Sequence, residues 1–163
     1  MDIRLARPGD LQALVAILNT AVERRQNALL APVTVESRTA WLDTHPPEAY
    51  PMWVASGDGG SVAGWGSLNP WRSGRGALRA TAEVSVYVAP DRQRQGVGTA
   101  LLRHAIQSAP ALGIDRLLAI GLETNTASLA LFSREGFERW GALPYVAVFG
   151  GDRVGQWILG RAV

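Results

Sequence analysis

A valine-rich strand that stops at a proline and then runs through two closely spaced glycines into a helix constrains this chain more than any other stretch. Thr81 to Ala89 alternates valine with smaller or polar residues, and Pro90-Asp91 ends it. Gly96-Val97-Gly98 then precedes a helix bearing Leu101, Leu102, Ala105 and Ile106. Strand and helix joined this tightly must pack on each other, which requires a sheet covered by helices. Glycine at such a junction lets the backbone approach a ligand closely, and the first helical turn leaves its N–H groups without partners. Those donors and the positive end of the helix dipole suit phosphate oxygens, with Arg92 and Arg94 at the same edge. The same residues would equally make a plain tight turn with solvated arginines, and the short Gly-x-Gly leaves both readings open.

Two phosphate-binding loops fail the comparison. A dinucleotide fingerprint needs a small third residue where Leu101 stands, and a hairpin turn at Gly57-Asp58-Gly59-Gly60 contradicts its parallel repeat. A Walker A loop needs lysine, and all 16 basic residues here are arginine. The lack of lysine and cysteine also explains a pI near 9.7 on a net charge of only +2, so the pI points to no basic patch and to no nucleic-acid partner. Without cysteine there is no disulfide, thiolate metal site or cysteine nucleophile, and two histidines, His45 and His104, make a zinc site unexpected. No apolar run reaches the roughly 20 residues that span a bilayer, and Met1-Asp2-Ile3-Arg4 lacks the order of a signal peptide. The expectation is a cytoplasmic protein, with residues 1–163 as a single domain and neither metal nor membrane partner.

The remaining elements follow from periodicity. Ile3 to Ala6 reads as a strand, and Pro8-Gly9-Asp10 opens a helix carrying Leu11, Leu14, Val15, Leu18 and Val22. Thr34 caps a predicted short helix from Val35 to Asp43, stopped by His45-Pro46-Pro47. Strands are expected over Tyr50 to Ala55, Ser61 to Asn69 and Ile114 to Gly121. A helix from Thr124-Asn125-Thr126 to Arg134 precedes two closing strands, about 137–148, interrupted by Pro144, and 152–159. The fold class is α/β, or α+β, with a mixed sheet.

One residue stands out chemically. Alternation puts Glu83, Ser85 and Tyr87 on one face of their strand and Val84, Val86 and Val88 on the other. A glutamate in so apolar a strand needs either a salt bridge, with Arg79 as a candidate, or a chemical task.

The ordered motifs resemble the GNAT superfamily of N-acetyltransferases, and within it the phosphinothricin and methionine sulfoximine acetyltransferase family. The likeness rests on Gln93-Arg94-Gln95-Gly96-Val97-Gly98, on Thr81-Ala82-Glu83-Val84-Ser85-Val86-Tyr87-Val88, and downstream on Asn125-Thr126-Ala127-Ser128 and Gly136-Phe137. Arg38 with Trp41, Pro51 with Val54-Ala55, and Val62-Ala63-Gly64 fall in the same order. The resemblance implies the GNAT acyl-CoA N-acyltransferase fold, a central, mostly antiparallel, splayed sheet flanked by helices. It implies acetyl-CoA as co-substrate, a small amino-acid-like amine as acceptor, and a homodimer. Val86, Tyr87 and Val88 would bind pantetheine along the strand edge. Arg94, Gln95, Gly96, Val97, Gly98 and Thr99 would hold the pyrophosphate, and Asn125 and Ser128 the pantetheine arm, unless Asn125 is only a helix cap. Glu83 would be the general base, since only a neutral amine can attack the thioester. Arg72 and Arg75 would grip the acceptor's carboxylate, or else be solvated loop residues.

Two departures matter. Many family members carry a tyrosine or histidine as proton donor where this chain has Phe132, leaving Tyr145, water or no acid at all. That favours, as a rival, a CoA-binding module without turnover. Arg25-Gln26-Asn27-Ala28-Leu29-Leu30 lacks the family's aromatic and acidic pattern before Pro32, which points away from phosphinothricin itself as the acceptor. A protein or peptide N-terminus is the other acceptor class.

Overall fold

The computed structural model describes residues 1–163 apart from the side chain of Asp58, and the turn expected at Gly57-Asp58-Gly59-Gly60 is closed by the Gly57 N–H donating to the Ser61 carbonyl at 2.9 Å. Seven strands form one sheet in the order β1-β2-β3-β4-β5-β7-β6. They are β1 (Asp2–Leu5), β2 (Met52–Ser56), β3 (Val62–Pro70), β4 (Thr81–Val88), β5 (Arg116–Leu122), β6 (Glu138–Phe149) and β7 (Asp152–Ala162). Three helices cover it: α1 (Leu11–Glu23), α2 (Val97–Ser108) and α3 (Thr126–Arg134).

Alternation along the strands divides the core into two layers. Leu14, Ile17 and Leu18 of α1 pack with Met52, Val54 and Trp65 on one face. Leu101, Leu102 and Ala105 of α2, with Leu129 and Phe132 of α3, pack with Trp53, Ala55, Val84 and Leu117 on the other. Two glycines let α2 lie this close to the sheet. A Cβ at Gly64 would stand 2.7 Å from the Tyr87 carbonyl oxygen and 3.0 Å from Val97 Cγ1, and one at Gly66 3.2 Å from the Ser85 carbonyl oxygen.

Every strand pair is antiparallel except β4 with β5. That one parallel pairing is short: Thr81 with Arg116, Ala82 with Leu117, and Glu83 with Leu118. Beyond Glu83 the two strands separate, while β4 stays paired with β3 as far as Val88. The mostly antiparallel, splayed sheet expected from the sequence is present, and the splay begins at the glutamate.

Two elements differ from expectation. The predicted helix over Val35–Asp43 is two single 3-10 turns, Glu36–Arg38 and Leu42–Thr44. Thr34 does cap the first, accepting the Ser37 N–H. The Trp41 carbonyl, however, accepts from the Thr44 hydroxyl at 2.7 Å and meets His45 Nδ1 at 2.8 Å, so side chains occupy the acceptor an α-helix would use. The other difference is a boundary, since β5 starts at Arg116 and Ile114 is instead a buried connector whose N–H bonds the Ala109 carbonyl. At Pro144 the interruption is real: the β6–β7 register shifts between Leu143 and Ala147, and Tyr145 takes φ 59°.

Candidate active site

The divergence of β4 from β5 opens a cleft of about 770 Å³. Its walls come from β4, β5, α3, the turn into α2, and the segment that follows α1. Along β4, the half of the backbone N–H and C=O groups turned away from β3 has no strand partner beyond Glu83. Such an edge pairs with an extended ligand as another strand would.

The turn into α2 forms the cationic end. Arg94 at φ 60° and Gly96 at φ 84° put successive amides into a concave arrangement, and only Gly96 adopts that conformation without steric cost. Among the described residues, no carbonyl accepts from the N–H groups of Gln95, Gly96, Val97, Gly98 or Thr99; the first helical bond runs from Ala100 N–H to the Gly96 carbonyl. Arg94 and Arg134 both line the cleft and pair with no carboxylate among the described residues. Gly98 serves the packing as well: a Cβ there would stand 3.1 Å from Leu131 Cδ2 and 3.4 Å from Val88 Cγ2.

Asn125 is the N-cap of α3, its Oδ1 accepting the Ser128 N–H at 3.3 Å, while its Nδ2 donates to the Gln26 carbonyl at 3.0 Å. The capping role is therefore present in the free chain, and the residue also anchors the segment after α1 to the cleft.

Glu83 stands at the fork, opposite Asn69 on β3 and Leu118 on β5. No arginine pairs with it among the described residues, Arg79 included. Burial pushes its carboxyl up from the ordinary carboxylate range. Tyr87 lies on the same face, stacked on Trp65 with ring centroids 4.4 Å apart. Burial raises its phenol most, the Asn27 amide beside it lowers it, and the Glu83 charge raises it further.

Of the residues expected at the site, Glu83, Val86, Tyr87, Val88, Arg94, Gly96, Gly98, Thr99, Asn125 and Ser128 line this one cleft. The side chains of Gln95 and Val97 do not. Gln95 Nε2 donates back to the Asp91 carbonyl at 2.8 Å, and Val97 is buried in the core under α2. Arg72 and Arg75 also lie outside it, on the exposed loop after β3, where the Arg72 guanidinium sits 5.8 Å from the Trp71 ring. Phe132 is buried edge-on against Phe137, and Tyr145 is exposed on β6 away from the cleft, so neither supplies an acid there. Gln26, Asn27 and Ser85 are lining residues that sequence reasoning missed. Ser85 was legible from strand alternation. Gln26 and Asn27 belong to the 25–30 segment whose departure from the family pattern bears on the acceptor, but the contact with Asn125, 99 residues from Gln26, that draws the segment to the cleft was not legible.

Comparison with known proteins agrees with this geometry. Residues 15–137 match the model of the acetyltransferase (GNAT) family. A Pseudomonas aeruginosa protein named L-methionine sulfoximine/L-methionine sulfone acetyltransferase is 38% identical over 158 residues, covering 96% of this chain and 89% of that protein. A solved phosphinothricin acetyltransferase from Sinorhizobium meliloti, in complex with acetyl-CoA, superposes with a TM-score of 0.93 at 25% identity, over 99% of this chain and 88% of that one. A ribosomal-protein-alanine N-acetyltransferase from Brucella melitensis superposes with a TM-score of 0.93 at 33% identity, over the full length of both.

Proposed function

The chain belongs to the GNAT acetyltransferase family, and from that premise we propose that it transfers the acetyl group of acetyl-CoA to the amine of a small amino-acid-like acceptor of the methionine sulfoximine or phosphinothricin type. The observation that carries this reading is the position of Glu83, an unpaired, largely buried carboxylate at the mouth of the fork. It lines the same cleft as the turn that carries the free amides of Gln95 to Thr99.

Each part of the cleft takes one task. The N–H groups of residues 95–99, with Arg94 and Arg134, hold the pyrophosphate of the nucleotide thioester. The open edge of β4 from Val86 to Val88 pairs with the pantetheine amides. Glu83 accepts a proton from the acceptor ammonium, directly or through one water, because an ammonium has no lone pair with which to attack. The neutral amine then attacks the acetyl carbonyl, the tetrahedral intermediate passes the second nitrogen proton to water or to the departing sulfur, and the carbon–sulfur bond breaks to release CoA as thiolate or thiol. Unpaired β4 amides near Val86 meet the charge that develops on the carbonyl oxygen. Among the described residues, no cluster of acidic and histidine side chains could hold a metal, and no step above needs one.

A peptide N-terminus is the competing acceptor, since the Brucella neighbour is named for such a substrate. The homologue at 38% identity is named for small amino-acid analogues and matches nearly the whole chain, which supports the smaller acceptor. The deciding experiment measures acceptor-dependent release of free thiol from acetyl-CoA with methionine sulfoximine, methionine sulfone, phosphinothricin and an alanine-initiated peptide. Turnover with the amino acids and none with the peptide is expected. Rate with the peptide alone would reverse the assignment, and thiol release with none of them would leave a binding module. The same reading includes a homodimer, because the edge strand β6 exposes Trp140, Leu143, Tyr145, Val146 and Val148. Sedimentation of a single 17.5 kDa species at micromolar concentration would contradict it.

A further inference from the structure

The side chain of Tyr87 has no task in the scheme above, although the residue is half-buried and lines the cleft. It lies on the Glu83 face of β4, and the Glu83 charge acts on its hydroxyl. The ring is held in place from behind. It stacks on Trp65 with 23° between the planes, and Trp65 is itself fixed by its Nε1 bond to the Leu14 carbonyl at 3.2 Å and by the edge of Trp41. At the hydroxyl stands the Asn27 amide. Its Oδ1 accepts the Leu29 N–H at 3.0 Å, so its N–H end meets the phenol oxygen. Among the described residues that amide is the hydroxyl's one hydrogen-bonding neighbour, which leaves the phenol hydrogen without an acceptor in the chain.

One proton of the reaction still lacks a carrier. Glu83 takes the first from the ammonium before attack, but the nitrogen of the tetrahedral intermediate then holds one too many and the departing sulfur holds none. Phe132 has no proton to give, and neither Tyr145, His45 nor His104 lines the cleft. We propose that the Tyr87 hydroxyl is a catalytic proton shuttle, passing its own proton to the departing sulfur and taking the second nitrogen proton in its place. This deepens the function proposed above and rests on it. As the carbon–sulfur bond breaks, a sulfur–hydrogen bond forms, and the nitrogen–hydrogen bond breaks as the phenol O–H is restored. The products are the amide and the CoA thiol, with Tyr87 unchanged and the first proton leaving Glu83 for water. Burial keeps the phenol neutral beyond its ordinary range, and a neutral hydroxyl can give and take together. The Asn27 N–H steadies the negative charge that gathers on the oxygen between the two transfers. Ser85 shares this face, but its alkyl hydroxyl is shorter and a weaker acid than a phenol.

Tyr87→Phe keeps the ring on Trp65 and removes the hydroxyl alone. Turnover with methionine sulfoximine should fall by about 10²-fold in kcat, with KM for acetyl-CoA unchanged and the rise of rate with pH through Glu83 retained. A second variant reads the proton itself. A difluorotyrosine at position 87 has nearly the same shape and a more acidic phenol. It should turn over at low pH and lose kcat as the phenol ionises, a falling limb that the wild type reaches only at higher pH. A Tyr87→Phe enzyme within about threefold of the wild-type kcat, a loss confined to KM for acetyl-CoA, or a fluorinated enzyme with the wild-type pH profile would overturn the role of Tyr87 and leave the acetyltransferase standing. No acceptor-dependent thiol release by the wild type with any of the amino acids would instead overturn the proposed function, and this inference with it.

Discussion

Two carboxylates of this protein are largely withdrawn from water, and the chain treats them in opposite ways. At the corner between β1 and α1, Asp10 receives both arms of the Arg4 guanidinium at 2.7 and 2.8 Å and the Arg7 N–H at 2.8 Å. Those bonds, the Arg4 pair foremost, hold its carboxyl below the usual range. At the fork between β4 and β5, Glu83 has no cation beside it, and burial alone holds its carboxyl above that range. Satisfied, the charge serves as a structural clamp. Unsatisfied, it is ready to take a proton. Burial by itself says little about the role of an acidic residue; the neighbouring donors decide it.

The largest effect is expected at Glu83. Replacing it by glutamine should lower kcat by about 10²–10⁴-fold, the usual worth of a positioned general base, with KM for acetyl-CoA unchanged. A comparable loss of acetyl-CoA binding would mean that Glu83 only shapes the cleft. At the other carboxylate the effect should be on stability and not on turnover per folded molecule. Asp10→Ala leaves Arg4 without its partner and the Arg7 N–H without its acceptor, and should cost roughly 2–4 kcal/mol in denaturant unfolding.

The amide concavity offers a smaller handle. Gly96 stands at φ 84° with open space where a Cβ would go, so Gly96→Ala introduces backbone strain and no clash. That strain is about 1–2 kcal/mol, enough to weaken CoA binding by roughly tenfold if the loop relaxes out of its binding shape. Calorimetric titration with CoA would read it.

The smallest effect sharpens the contrast through pH. The folded-state pKa of Asp10 is depressed, so its stabilisation is present above the ordinary carboxylate range and fades as pH falls through the folded value. The folded-state pKa of Glu83 is raised, so its contribution is fully present below the unfolded value and is lost as pH rises through the folded one. Glu83→Gln should therefore raise the Tm at neutral pH, by about 2–4 °C per kcal/mol of relieved burial, with the gain vanishing in acid. A variant that unfolds earlier at every pH would show that the carboxylate is stabilised by contacts the static structure lacks.

The glycine turn, its flanking strand and its helix were readable because the whole unit is local: Pro90, Gly96 and the spacing of Leu101, Leu102 and Ala105 fall within one short run. The alternation of Glu83, Ser85 and Tyr87 was readable for the same reason. What no local pattern contains is where β5 leaves β4, because that depends on partners such as Leu118 and on the tight seating of α2 at Gly64 and Gly66. The 25–30 segment was marked by its departure from the family pattern, but its place against the cleft was hidden because it has no periodicity and is held there through Asn125 and the Gln26 carbonyl. Arg72 and Arg75 stand on the exposed loop after β3 and are not among the residues that line the cleft of the free chain. The mistaken helix over Val35–Asp43 failed through side chains, since periodicity does not register that Thr44 and His45 take over the Trp41 carbonyl.

The decisive measurement is turnover against pH for the wild-type enzyme and Glu83→Gln, with methionine sulfoximine as acceptor and acetyl-CoA saturating. A base at the fork predicts a wild-type kcat that rises with pH through a group titrating above the ordinary carboxylate range, a limb missing from the variant, whose rate stays low until the acceptor amine itself deprotonates. Superimposable profiles of equal height would show that the fork carboxylate takes no proton from the acceptor.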